Sequence, residues 1–384
     1  MSTASIPPTD GRKRRDLSST IGGLTYNEKT WRTEYTWLLE QGYQLRERYA
    51  PEWKPSWVNG RKEKPYYEAA DGLALTYGQV IDAIRVSDGR NVVLKRLSPA
   101  LSPFEEDITR FLSSDELSQD RQNHCVPLLD VLHPPDEPTE ILLVIPALRN
   151  FDSPRFDTIG EGVQCCRQLF EGIHFMHRHR VAHRDINFNN FMMDAPDMFP
   201  QGYHFNRINK LPDLRGDAPH FTRTQRPPRY YLIDFGLSRR YQEGEQALEP
   251  VVHGGDRSVP EFRANPQGLH DPFKTDIYYA GNLLRETITE GHKVLTWIAG
   301  YIGFEFLNPL IADMVQDDPN KRPTIDEVLK RFEDLAQSLS AYQLRSRPVS
   351  RRESVFKVVP NTIGHWKRKI WFTVSRTSAV PQSR

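Results

Sequence analysis

The stretches that decide the fold are AHRDINFNNFMMD at residues 182–194 and YLIDFGLSRRY at residues 231–241. Phe191 to Asp194 and Tyr230 to Asp234 read as short strands, because apolar and β-prone residues run up to a polar stop in each. A polar, Pro-rich insert, about residues 195–229, separates them. Upstream, Val163, Cys166, Leu169, Ile173 and Met176 recur at helical spacing and predict one buried stripe. Farther upstream the pattern turns to strands. Leu73 to Leu97 holds two β-rich runs parted by Ser87-Asp88-Gly89, and Cys125–Leu132 and Glu140–Leu148 make a second pair. The charged run Pro103–Leu117 between them is helix-prone. Downstream, residues 275–289, 293–303, 306–315 and 324–338 read as helices. Strands first and helices after predict an α+β, two-lobed fold: a small antiparallel sheet with one helix, then a larger, mainly helical lobe.

Polar motifs punctuate this layout in a fixed order. Val92-Val93-Leu94-Lys95 ends a strand, and Glu105 opens a helical run ten residues later. His183-Arg184-Asp185 precedes Asn190, and Asp234-Phe235-Gly236 ends the second strand. Val259-Pro260-Glu261, Asp276 with Gly281, and Asp318-Pro319-Asn320-Lys321-Arg322-Pro323 follow. The series resembles the eukaryotic protein kinase signature set across about residues 66–340. The AHRD…FMMD, YLIDFGLSRRY and GYQLRERY…PSW segments are also similar to an expanded group of kinase-like proteins in mushroom-forming fungi.

The resemblance implies ATP and Mg²⁺ as cofactors and a role for each polar residue. Lys95 would meet the nucleotide phosphates and Glu105 would hold it; Glu106 is the alternative partner. Asp234 and Asn190 would offer hard oxygen ligands to Mg²⁺, and Asp185 would take the proton of the attacking hydroxyl. Ile145 falls at the end of the strand before the hinge, followed by Pro146, Ala147 and Leu148. Pro146 keeps the carbonyl that adenine needs there, and Leu148 would present its own N–H and C=O. Val80 and Val93 would cover the purine or pack the sheet. Glu261 and Arg322 would form a buried prop, and Asp276 would brace the catalytic loop.

Four departures stand out. Gly78-Gln79-Val80 fits the end of the glycine-rich loop, but its earlier positions are Leu73 and Leu75, expected to pair as a strand. A one-residue shift of register would bring in Gly72 instead. Asn187 stands where Ser/Thr kinases carry lysine, and Gly254 where its threonine partner would stand. Gln242 to Arg257 holds no Ser, Thr or Tyr, so Glu243, Glu245 or Glu249 is expected to answer Arg184 in place of a phosphate. The insert is expected to protrude near the back of the second lobe. The expected activity is ATP-dependent transfer of a γ-phosphate to a protein hydroxyl, Ser/Thr ahead of Tyr. A pseudokinase that binds nucleotide or acts as a scaffold is the alternative, and a small-molecule phosphotransferase the third.

The remainder divides into an arm at 1–26, expected to be disordered, an aromatic-rich extension at 27–65, and a basic tail at 341–384. The first lobe is expected over 66–148 and the second over 149–340. Trp31, Trp37, Trp53 and Trp57 lie in the extension. A helix is expected at Trp31–Leu39, with the extension docked on the protein's own first lobe. Lys+Arg number 51 against 50 Asp+Glu, a net +1 that excludes a chain whose whole surface is a polyelectrolyte. The tail alone carries ten Lys/Arg against Glu353, a net +9, so the body is acidic at −8. HWKRKIWF interleaves cations with aromatics, which suits anionic surfaces; the other reading is that the tail folds onto the acidic body. Arg351-Arg352-Glu353-Ser354 resembles a basophilic kinase site. No specific nucleic-acid binding is expected. Three cysteines, two adjacent, make no disulfide framework, and no run reaches a membrane span. The expected location is intracellular, in the cytoplasm, with the Arg12–Arg15 cluster leaving the nucleus as the alternative.

Overall fold

Two alternating faces run along the strands of the first lobe. The computed structural model describes residues 22–58, 65–292 and 298–382. Strands β1 (Tyr43–Leu45), β2 (Val80–Arg85), β3 (Asn91–Leu97), β4 (Asp130–Leu132) and β5 (Ile141–Pro146) form an antiparallel sheet in the order β1-β2-β3-β5-β4. Because side chains alternate with period two, Ile81, Ala83, Val92, Leu94, Leu142 and Val144 share the outer face. They pack on Trp31, Leu38, Tyr49, Trp53 and Trp57 of the extension. The other face carries Val80 opposite Lys95 and Val93 opposite Ile145, and looks into the interlobe cleft.

The extension begins with α1 (Tyr26–Thr33) and α2 (Tyr35–Glu40). Thr25 and Glu28 cap α1 reciprocally. Residues 1–21 of the arm lie outside the described residues. Residues 22–26 do not match the expected disorder: Leu24 is buried and Thr25 caps a helix.

The edge strand beside β2 is Tyr43–Leu45, and the β-rich run expected from Leu73 becomes a strand only at Val80. Residues 66–72 instead form two 3-10 turns. The cause is a buried ion pair. The Arg48 guanidinium meets Glu28 at 2.9 Å, with both side chains fully buried, and donates to the carbonyls of Gly22, Gly23 and Asp71. Glu28 also accepts from the Leu75 N–H. A buried charge needs all these partners, and meeting them draws residues 71–75 away from the sheet edge.

Helices α3 (Glu105–Leu112) and α4 (Asp115–Ser118) lie between β3 and β4. The second lobe is organised by α5 (Ile159–Arg178), whose apolar stripe is buried in one core shared with α7 (Pro272–Leu284), α8 (Asn308–Met314) and α9 (Ile325–Ser338). Short strands line its cleft side. β6 (Arg149–Asn150), β8 (Phe191–Asp194) and β9 (Arg229–Leu232) pair in the order β6-β8-β9, and β7 (Val181–Ala182) pairs with β10 (Arg239–Arg240). β11 (Glu249–Pro250) pairs with β12 (Leu269–His270), with α6 (Pro260–Ala264) between them. Of the helix expected at 293–303, residues 293–297 lie outside the described residues. Residues 301–302 are β13 (Tyr301–Ile302), paired with β14 (Val349–Ser350). Gly300 and Gly303 take positive φ there, which ends any right-handed helix.

The insert does not protrude at the back. Met198 and Phe199 are buried, the His204 ring donates to the Ala70 carbonyl at 2.9 Å, and Asn206 donates to that of Ala74 at 2.7 Å. It therefore ties the second lobe to the segment that replaces the glycine-rich loop. Arg149, next to the hinge, anchors it by donating to Ile208 O and lying over the Phe199 ring. The tail does fold back on the body. After α10 (Ala341–Leu344) it forms β14 and then α11 (Val355–Val374), held by Asp157, which accepts from Arg368 at 2.6 Å and 2.9 Å.

Candidate active site

Lys95 comes from the central strand β3 and Glu105 from the first turn of α3. Their side chains form an ion pair, and the Lys95 ammonium also meets Asp234 Oδ1 at 2.8 Å. Glu106 points elsewhere and pairs with Arg110. Burial pushes the Lys95 pKa down, but the Asp234 and Glu105 carboxylates more than reverse it. Burial likewise pushes Asp234 up, and Lys95 holds it below the ordinary carboxylate value. Asp234 sits at φ 65°, a left-handed conformation that side chains seldom adopt. Gly236 follows because a Cβ there would come within 3.0 Å of Glu105 Oε2.

Asp185 stands on the loop after β7. Its Oδ1 accepts from the Gly255 N–H at 2.7 Å and from Asn187 Nδ2 at 3.0 Å; its Oδ2 accepts from Asn190 Nδ2 at 2.9 Å. Burial raises its pKa, and the Gly255 and Asn187 hydrogen bonds only partly oppose this. Two of the departures meet here. A Cβ on residue 254 would lie 2.3 Å from Asp185 Oδ1, and one on residue 255 would lie 2.7 Å from Asn187 Nδ2. The Gly254-Gly255 pair thus lets a backbone N–H reach the carboxylate where the usual lysine and threonine are absent. The sequence held a signal for this donor, two adjacent glycines, but its target was not legible.

The loop is braced from below. Asp276 accepts from the N–H groups of His183 and Arg184 at 2.8 Å and 2.7 Å, and from the His177 ring. Arg322 grips Glu261 with two parallel bonds at 2.7 Å and 2.6 Å. Of the three glutamates considered, Glu249 reaches Arg184, at 3.3 Å. Arg184 also donates to Leu237 O and Pro250 O, so it joins both arms of the segment. Tyr241 is buried with its hydroxyl on Glu249, and Ser238 is buried with its hydroxyl on His183 O.

The upper wall differs from expectation. Val80, Val93, Lys95 and Ile145 share the cleft face, and Pro146 pairs with Val92 at the end of β5. Leu148 is buried. Gly78 is drawn off to the extension: its carbonyl accepts from Trp31 Nε1 at 2.8 Å, and its α-carbon abuts Asn27. Asn190 spends its amide N–H on Asp185, which leaves its Oδ1, with the carboxylate of Asp234, as a hard oxygen donor. That set suits Mg²⁺, which takes one or two protein oxygens and completes its shell with phosphates and water. A cavity of about 800 Å³ lies away from the cleft, between the insert and the tail. Its Asp157 and Glu353 are already paired with Arg368 and Arg347.

A small sheet over a helical lobe, with a lysine-glutamate pair above and an aspartate-asparagine loop below, defines a bilobal kinase-type fold. The protein kinase domain family matches residues 76–309, and the chain belongs to that family. Its members generally use ATP and Mg²⁺. Among the described residues no helix is long and apolar enough to cross a membrane.

Proposed function

We propose that the protein is an ATP- and Mg²⁺-dependent protein kinase that phosphorylates a protein hydroxyl, Ser/Thr in preference to Tyr. The observation that carries this is the convergence of Lys95, Glu105, Asp234, Asn190 and Asp185 on one cleft. Lys95 neutralises nucleotide phosphate while Glu105 keeps it from wandering. Val80, Val93 and Ile145 flank the adenine, with the hinge at Pro146–Leu148. Asn190 and Asp234 would hold Mg²⁺, which would supply charge neutralisation at the phosphates. Asp185 accepts the proton of the acceptor hydroxyl as that oxygen bonds to the γ-phosphorus and the bond to the β-phosphate oxygen breaks. Its raised pKa makes it a better base. Glu249 on Arg184 supplies the negative charge that a phosphate would otherwise bring, so activity needs no prior modification of the segment. The narrower kinship to fungal kinase-like proteins belongs to this reading too, because GYQLRERY and PSW form β1, the buried Arg48 and the buried Trp57. So does an intracellular setting, in the cytoplasm or nucleus.

A pseudokinase is the second reading. The displaced Gly78 and the missing lysine at 187 favour it. Labelled ATP on a mixed peptide array decides. Wild type should transfer phosphate, Asp185→Asn should lose about 10²–10⁴-fold in kcat, and Lys95→Met should lose the signal. Nucleotide binding in a thermal-shift titration with no incorporation by wild type would establish the second reading instead.

A further inference from the structure

The docked tail leaves one face of α11 open. Its inner face is engaged: His365, Lys369 and Phe372 are buried, and the Lys369 ammonium lies 3.9 Å from the Tyr342 ring centre. Its outer face carries Phe356, Val359, Ile363, Trp366, Ile370 and Val374, all exposed, Phe356 at 88% and Val374 at 78%. Their spacing of three and four residues aligns them in one stripe, and exposed Trp371 widens it. Contiguous apolar surface of this kind marks an interaction site.

We propose that this face binds the surface of an anionic lipid bilayer, with α11 lying in the interface plane. Three features select that occupant. Residues 355–374 contain no Asp or Glu; Arg368 is held by Asp157 and Lys369 is buried, which leaves Lys367, with Arg376 just past the helix, as the exposed cations at the stripe among the described side chains. A second copy placed on the stripe would oppose cation to cation, whereas anionic headgroups neutralise the charge. Trp366 and Trp371 are amphipathic rings suited to the headgroup level. Lys367 and Arg376 stay exposed beside the stripe, where they can reach lipid phosphates. The helix cannot cross the bilayer, so it lies on it. Since Asp157 holds the inner face, the helix binds without leaving the body.

Co-sedimentation of the full-length protein with phosphatidylcholine vesicles, with and without phosphatidylserine, tests this independently of catalysis. Binding should be about tenfold or more stronger with phosphatidylserine, fall with salt, and vanish in Ile363→Asp/Ile370→Asp. Lys367→Glu, which removes no apolar surface, should weaken binding about fivefold or more. No binding to phosphatidylserine vesicles, or binding unchanged in both variants, overturns the proposal. So does light scattering that shows a wild-type dimer abolished by Ile363→Asp/Ile370→Asp without vesicle binding, which assigns the stripe to a second copy.

Discussion

The floor of the cleft and its roof are held by opposite means. In the floor, Asp185, Asn187, Asn190, His183 and Arg184 are fixed by short bonds to Asp276, Gly255 and one another, all within the second lobe. In the roof, the segment at residues 70–79 takes its bonds from distant parts of the chain. Arg48, Glu28 and Trp31 of the extension grip one side, and His204 and Asn206 of the insert grip the other. The floor keeps His183, Arg184, Asp185 and Asn190, lacks the usual lysine at 187 and threonine at 254, and alters how one carboxylate is held. The roof gives up the glycine hairpin for a segment clamped from two sides. A hairpin of glycines grips phosphate by closing on it; a clamped segment trades that mobility for a fixed position.

Four changes test the contrast, from the largest effect to the smallest. Arg322→Ala, below the floor, removes one partner of a buried bidentate pair. It should cost about 3–5 kcal/mol of stability in urea denaturation, and a loss under 1 kcal/mol would mean the prop is dispensable. Gly254→Ala drives a methyl group against Asp185 Oδ1. Misplacing the base should cut kcat about a hundredfold with KM for ATP little changed; an unchanged kcat would show that the carboxylate has room to move.

Asp157, at the far end of the lower lobe, gives a pH signature. Burial raises its pKa, but Arg368 and His365 bring it down to about 2 from an ordinary 3.8. A depressed carboxylate pKa stabilises the fold above the ordinary value, and that gain is lost as pH falls through about 2. Asp157→Asn should therefore cost about 2 kcal/mol at neutral pH and flatten acid unfolding below about pH 4. In the roof, Trp31→Phe keeps an aromatic ring but removes the hydrogen bond to Gly78 together with part of the buried indole. The lost hydrogen bond should cost about 0.5–1.5 kcal/mol, read as a roughly two- to tenfold change in KM for ATP with kcat constant. A change in kcat alone would place the control of the roof elsewhere.

Much of the floor was legible because its residues lie close in sequence and their types are dictated by chemistry. Asp185, Asn190 and Asp234 belong to motifs of fixed spacing, and short strands flank them. Glu105 was legible over Glu106 because Ile108 and Leu112 fall on its buried face. The roof was misread where local pattern and long-range charge disagreed. Leu73 and Leu75 alternate as a strand should, yet the Arg48–Glu28 pair withholds them from the sheet. The insert was misplaced because nothing in its composition reveals that His204 and Asn206 find carbonyls more than a hundred residues away.

The sequence alone determined the α+β lobes, the order of the polar motifs, the docking of four tryptophans near the first lobe and the acidic body with its basic tail. These follow from periodicity, side-chain type and charge, which are local. Only the tertiary structure decided which strand borders β2, which glutamate answers Arg184, how Gly255 reaches Asp185 and which face of α11 stays open. Each of these depends on a buried donor, acceptor or apolar surface finding a partner distant in the chain, and that choice is made by packing.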